Sequence, residues 1–139
     1  MRAHILAGLI ASCVVLAAGT AVAHHSFAAE FDANKPITLK GRVTKIEWTN
    51  PHVWFYINVK DEKTGEVSNW GAEMGPPHGL QRRGWRRETL KVGEEVTVVG
   101  SRAKNGSNRM NARQVTMTST GGRPGETLDA VSSQGGNNP

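Results

Sequence analysis

The sequence predicts an all-β fold, a small five-stranded barrel of the oligonucleotide/oligosaccharide-binding (OB) type. Three observations predict it: five strand-like segments with period-two alternation, a short helical segment between the third and fourth, and a change of parity partway along the first. A two-sheet sandwich is the alternative, but it makes less use of five strands and of the bulge that a parity change implies.

The first strand runs from Ile37, with Ile37, Leu39, Gly41 and Val43 on one face; Ile46 and Trp48 continue on the opposite parity, which places a bulge at Thr44-Lys45. Thr49-Asn50-Pro51 ends it. In the second strand Val53, Phe55, Ile57 and Val59 alternate with Trp54, Tyr56 and Asn58, and Asp61 to Gly65 make a hairpin loop. Val67 to Met74 is the third strand. The turn-rich segment Gly75-Pro76-Pro77-His78-Gly79 leads to a helix expected over 81–90. Glu95 to Gly100 reads as an edge-like fourth strand and Met110 to Thr118 as the fifth, with a polar loop carrying Asn105-Gly106 between them.

Before and after this domain, at 37–118, lie segments of other kinds. Arg2, the apolar run Ile5–Leu16 and Ala21-Val22-Ala23 read as a signal peptide over 1–23, so the mature chain is expected to begin at His24 in a periplasmic or secreted setting. Ile10-Ala11-Ser12-Cys13 has the form of a lipoprotein cleavage box and is the rival reading. Residues 24–36, with Phe27 and Phe31 four apart, form a lead-in too short to be a stable helix alone. Residues 119–139, rich in Gly, Ser, Asn and Pro, are expected to be a disordered tail.

Cleavage at Ala23 removes Cys13, the only cysteine, and with it any disulfide, thiolate metal site or cysteine nucleophile. The net charge then goes from +5 to +4, since Arg2 is the one charged residue lost. No transmembrane segment is expected in the mature chain.

The stretches HHSFAAEFD, VTKIEWTNPHVWFYINV, RRGWRRETLKVGEEVTVVGSRAK and NARQVTM resemble an uncharacterised group of small exported bacterial proteins, the domain-of-unknown-function family 6152. The resemblance covers nearly the whole mature domain. It implies an exported, OB-like protein and carries no activity, substrate or site residue.

Three features carry candidate chemistry. A freed His24 offers an α-amine and an imidazole to Cu(II), and one further imidazole from His52 or His78 would complete a brace of nitrogens; His25 is also at hand, and Met74 precedes His78 by four residues. The bland alternative makes His24 and His25 solvated and His52 and His78 turn residues. Secondly, Trp54 and Tyr56 point away from the core and Trp70 could join them, on the face where OB barrels stack bases or sugar rings; the alternative is that Phe27 and Phe31 cover them. Thirdly, Arg82, Arg83, Arg86 and Arg87 surround Trp85, a cluster able to hold phosphate or carboxylate groups while Trp85 meets a membrane interface. Its alternative is a Trp85–Leu90 plug with a solvated arginine face partnered by Glu88.

The acidic residues are scattered, and no nucleophile elbow, phosphate loop or dinucleotide fingerprint occurs. The expectation is a non-enzymatic binding or accessory protein. Its ligand is copper or a related metal through His24, or alternatively an envelope protein, glycan or lipid partner. Nucleic acid is not expected as a partner of an exported domain.

Overall fold

The computed structural model describes residues 27–118 and 125–133; the signal peptide expected over 1–23, His24 and His25 lie outside the described residues. The fold is mostly β. Helix α1 (Phe27–Glu30) precedes β1 (Phe31–Glu47), β2 (Trp54–Lys60) and β3 (Val67–Glu73); α2 (Pro77–Arg82) follows, then β4 (Glu95–Ala103), β5 (Arg109–Met117) and β6 (Thr127–Asp129). One sheet runs β3-β2-β1-β4-β5-β6, and an additional β3–β5 pairing closes its first five strands into a ring. That closing pair is parallel, through Gly71–Arg109, Ala72–Met110 and Glu73–Asn111, while the other pairings are antiparallel.

The long first strand bends where the parity changes. Val43 pairs with Ile57 and Lys45 with Tyr56, leaving Thr44 as the extra residue of a bulge. Val43 and Ile46 therefore both face inward, and β1 serves β2 with one half and β4 with the other. The interior is filled by Val43, Phe55, Ile57, Ala72, Val96, Val98, Met110 and Val115, all essentially inaccessible to water. Burial of each of these side chains other than Ala72 contributes about 1.5–3 kcal/mol.

Four expectations need correction. The helix is not at 81–90: α2 begins at Pro77, where a missing N–H costs nothing, and ends at Arg82 because Gly84 adopts a left-handed φ of 93°. Beyond it Trp85 and Leu90 are buried, as a plug requires, but from turns rather than from helix. The fourth strand is no edge; it lies between β1 and β5 and continues to Ala103. The lead-in is shorter than 24–36, because strand pairing already begins at Phe31 opposite Ala103.

The fourth correction concerns the tail. Residues 125–133 are ordered against the domain: Thr127–Asp129 pair with Gln114–Thr116, and Ala130 is fully buried. Local polarity hid this, since the segment is held by backbone bonds. Ala130 N–H donates to Arg113 O at 2.9 Å, Gly75 N–H to Ala130 O at 2.8 Å, and the Trp85 indole N–H to Asp129 O at 2.8 Å. The strap thereby ties the end of β3, the Trp85 turn and β5 together.

Candidate functional site

Strand alternation decides which aromatic side chains reach the outer surface. Cross-strand partners share a face, so Trp70, opposite Ile57, turns inward and is buried, whereas Tyr56 and Trp54 stand opposite Gly71 and Glu73 on the outer face. The expectation that Trp70 joins Trp54 and Tyr56 is corrected by that register. A guanidinium from Arg102 lies 5.3 Å from the Trp70 ring.

Trp54 and Tyr56 are half-buried and flank Gly71. A Cβ at that position would stand 3.3 Å from Tyr56 Cε1 and 3.5 Å from Trp54 Cζ3, so the missing side chain leaves a slot between two rings. Around the slot lie Glu47, Asn69, Asn108 and Arg109, and together these residues line a groove of about 500 Å³. Sequence reasoning found the two rings but not the groove. Arg109 and Asn108 arrive through the parallel β3–β5 closure, a long-range contact with no local signal.

The polar rim is ordered by its own contacts. Tyr56 donates its hydroxyl to Glu47 Oε2 at 3.0 Å, and Lys45 pairs with the other oxygen of Glu47. The Lys45 hydrogen bond, then that from Tyr56, hold the Glu47 carboxyl below its ordinary range; burial, then the bond to Glu47, push the Tyr56 phenol up. Asn69 donates to Asn58 Oδ1 at 2.9 Å. The Arg109 guanidinium lies 4.6 Å from the Trp54 ring centre and 3.7 Å from Glu30 of α1. The lead-in therefore reaches the groove edge through Glu30, while Phe27 packs at a tilt of 31° against the buried Phe31, with centroids 5.8 Å apart.

Beside the groove, on the same face, a buried polar group continues the row. Glu73 is 6% exposed and receives contacts from His52 Nδ1 at 3.0 Å and Asn111 Nδ2 at 3.5 Å. Asn111 also meets Ser132 and Ser133 of the strap. Burial, followed by the nearby charge of Glu30, pushes the Glu73 carboxyl up to about 7.

The remaining candidates fall elsewhere. His78 is exposed on α2, and Met74 is buried in the core and unavailable as a ligand. Among the described residues no group of three or more His, Cys, Asp or Glu side chains could hold a metal. Arg82 and Arg83 are exposed, but Trp85 is only 1% exposed, so it is corrected from a ligand-contacting residue to a core anchor. Among the described residues no helix is long and apolar enough to cross a membrane.

The model of a family described as "Family of unknown function (DUF6152)" matches residues 11–112. No curated protein and no solved structure matches the chain.

Proposed function

Since the chain belongs to DUF6152, a family of unknown function, we propose from its own geometry that it is a non-enzymatic binding protein of the cell envelope whose groove holds a saccharide ring. The carrying observation is the Trp54–Gly71–Tyr56 slot. Aromatic faces stack against the C–H faces of a sugar, and a rim of carboxylate, amide and guanidinium groups accepts and donates hydrogen bonds to hydroxyls. The OB-type reading of the ring supports this, because the face of strands two and three is where such barrels hold ligands. Its support is the element order, the bulged first strand and the β3–β5 closure. The envelope setting rests on the signal-peptide pattern of residues 1–23.

The role is holding rather than turnover. Glu47 is engaged by Lys45 and Tyr56, and Glu73 is buried behind His52, so neither carboxyl stands free in the groove as an acid or base. The test is titration of the protein with neutral oligosaccharides, followed by tryptophan fluorescence. A saturable response that disappears in Trp54→Ala and Tyr56→Ala supports the reading; no saturable response across glucan, chitin and mannan oligomers overturns it.

A second reading, copper binding, is favoured by the His52–Glu73 contact. A carboxylate on Nδ1 orients an imidazole and leaves Nε2 for a metal, the arrangement found behind metal-ligating histidines. With the leader removed after Ala23, the α-amine and imidazole of His24 would supply two nitrogens and His52 the third, with His25 and His78 as alternates. Cu(II) titration of the mature protein decides it: one copper per chain, lost when an extra residue precedes His24 and weakened in His52→Ala, is the expected outcome. Equal binding with the α-amine blocked removes this reading and leaves the groove untouched.

A further inference from the structure

The eleven residues Gln81–Lys91 contain five cations and one acid, Glu88, a net charge of +4 in a chain whose whole net charge is +5. The remainder of the chain is thus almost neutral. Elsewhere four cations are paired, in Lys35–Asp32, Lys40–Glu95 at 2.9 Å, Lys45–Glu47 and Arg109–Glu30, while Arg42, Lys60, Lys63, Arg102, Lys104 and Arg113 form no ion pair among the described residues but are spread along the chain rather than gathered in one segment. Arg82, Arg83, Arg86, Arg87 and Lys91 are all exposed, and among the described residues none forms an ion pair, not even with Glu88. The expected partnering of the arginines by Glu88 is therefore not what the fold provides.

The display is rigidly mounted. Leu80, Trp85 and Leu90, which punctuate the arginines, are buried, and Trp85 is fixed by its indole bond to Asp129 O. The backbone between them is closed by Trp85 N–H to Leu80 O at 3.1 Å and by Arg86 N–H to Thr89 Oγ1 at 2.8 Å. Guanidinium groups projecting from a fixed base lose less freedom on contact than those on a free loop. A shallow concavity of about 330 Å³ opens at Gly84, Arg86 and Arg87. At the end of the segment Val92 is 65% exposed, one of two large apolar side chains left in water among the described residues.

We propose that residues 81–92 form a docking surface for an anionic phospholipid bilayer. Unpaired guanidiniums bind phosphodiester headgroups bidentately, and the exposed Val92 that ends the same segment enters the interfacial zone, a pairing that a soluble anion would not use. Trp85 anchors the surface from beneath and does not insert. This surface shares no residue with the saccharide groove, so either can fail alone.

Co-sedimentation of the full mature chain with phosphatidylcholine vesicles, with and without phosphatidylglycerol, tests it. Binding is expected only with phosphatidylglycerol, falling with added salt. Arg86→Gln/Arg87→Gln should weaken it about fivefold per arginine removed, with the near-ultraviolet dichroism of the tryptophans unchanged to show that the fold is kept. Val92→Ser should weaken it further without changing the salt dependence. Equal binding to uncharged vesicles, or unchanged binding by the folded arginine variant, overturns the proposal. Unchanged binding by Val92→Ser, or full displacement by inorganic phosphate at constant ionic strength, overturns the bilayer in favour of a discrete phosphate.

Discussion

His52 Nδ1 lies 3.0 Å from Oε1 of Glu73, a carboxyl 6% exposed on the outer face of a sheet. One proton between them satisfies both groups, carried on Nδ1 when Glu73 is ionised and on the carboxyl when it is not. Burial raises the Glu73 carboxyl from 4.5 to about 7, so the folded state holds its proton more tightly than the unfolded chain does. Its contribution to stability is then complete below the ordinary value of 4.5 and is lost as pH rises through about 7. Urea unfolding across that window should show stability declining with pH, and Glu73→Gln, which cannot ionise, should remove that part of the decline. Parallel pH profiles for the two proteins would disprove the assignment.

Gly75 and Val131 are packed without room for a methyl group. A Cβ on Gly75 would stand 2.5 Å from Val131 O and 2.7 Å from Val131 Cβ, whereas one on Gly79 would meet Val131 Cγ1 at an ordinary 3.4 Å. Gly75→Ala should therefore cost about 1–3 kcal/mol, or release the 125–133 strap, visible as loss of amide protection at Ala130. Gly79→Ala, in helical backbone, should leave stability unchanged or slightly higher. Equal effects at the two positions would mean the strap is not packed as described.

Trp85 joins the arginine-bearing turn to the strap. Replacing it by phenylalanine keeps most of the apolar burial but orphans the Asp129 carbonyl, a loss of about 1–3 kcal/mol. Trp85→Ala also opens a cavity and should cost about 3–5 kcal/mol. Truncation after Thr118 removes the same acceptor together with β6, and should shift tryptophan emission to longer wavelength as Trp85 meets water. Chemical denaturation and emission spectra check all three. A truncated chain with native emission would show the strap to be dispensable.

What was legible in the sequence was whatever repeats locally. The alternation through Val53–Val59 and the parity change at Thr44-Lys45 placed strands and bulge within a residue or two, because both follow from side-chain period alone. Asp129–Val131 could not be read this way. Their place depends on backbone groups meeting Trp85 and Gly75 from far along the chain, and their composition is that of a loop. The candidate site divides similarly. Trp54 and Tyr56 followed from parity, but Trp70 was misplaced because its face depends on pairing opposite Ile57 rather than on its own strand. Arg109, 55 positions beyond Trp54, carries no pattern that would bring it to that ring; strand closure does.

The groove makes a prediction that separates binding from folding. Gly71 is needed for space, not conformation: its neighbours are ring atoms of Tyr56 and Trp54, with the nearest at 3.3 Å from a Cβ placed there. Gly71→Ala asks that ring to yield by a few tenths of an ångström, and in a strand it should alter stability by less than about 1 kcal/mol. Gly71→Leu fills the slot outright and should reduce saccharide affinity more than tenfold, about 1.4 kcal/mol, with the fold retained. Arg109→Ala removes the cation over Trp54, worth about 0.5–1 kcal/mol at an exposed site, and should alter affinity while leaving the thermal midpoint within a few degrees. Titration of each variant beside its unfolding curve is the measurement. If Gly71→Leu bound as the parent does, the ligand would not lie between Trp54 and Tyr56, and the groove would be a surface feature of the closed sheet alone.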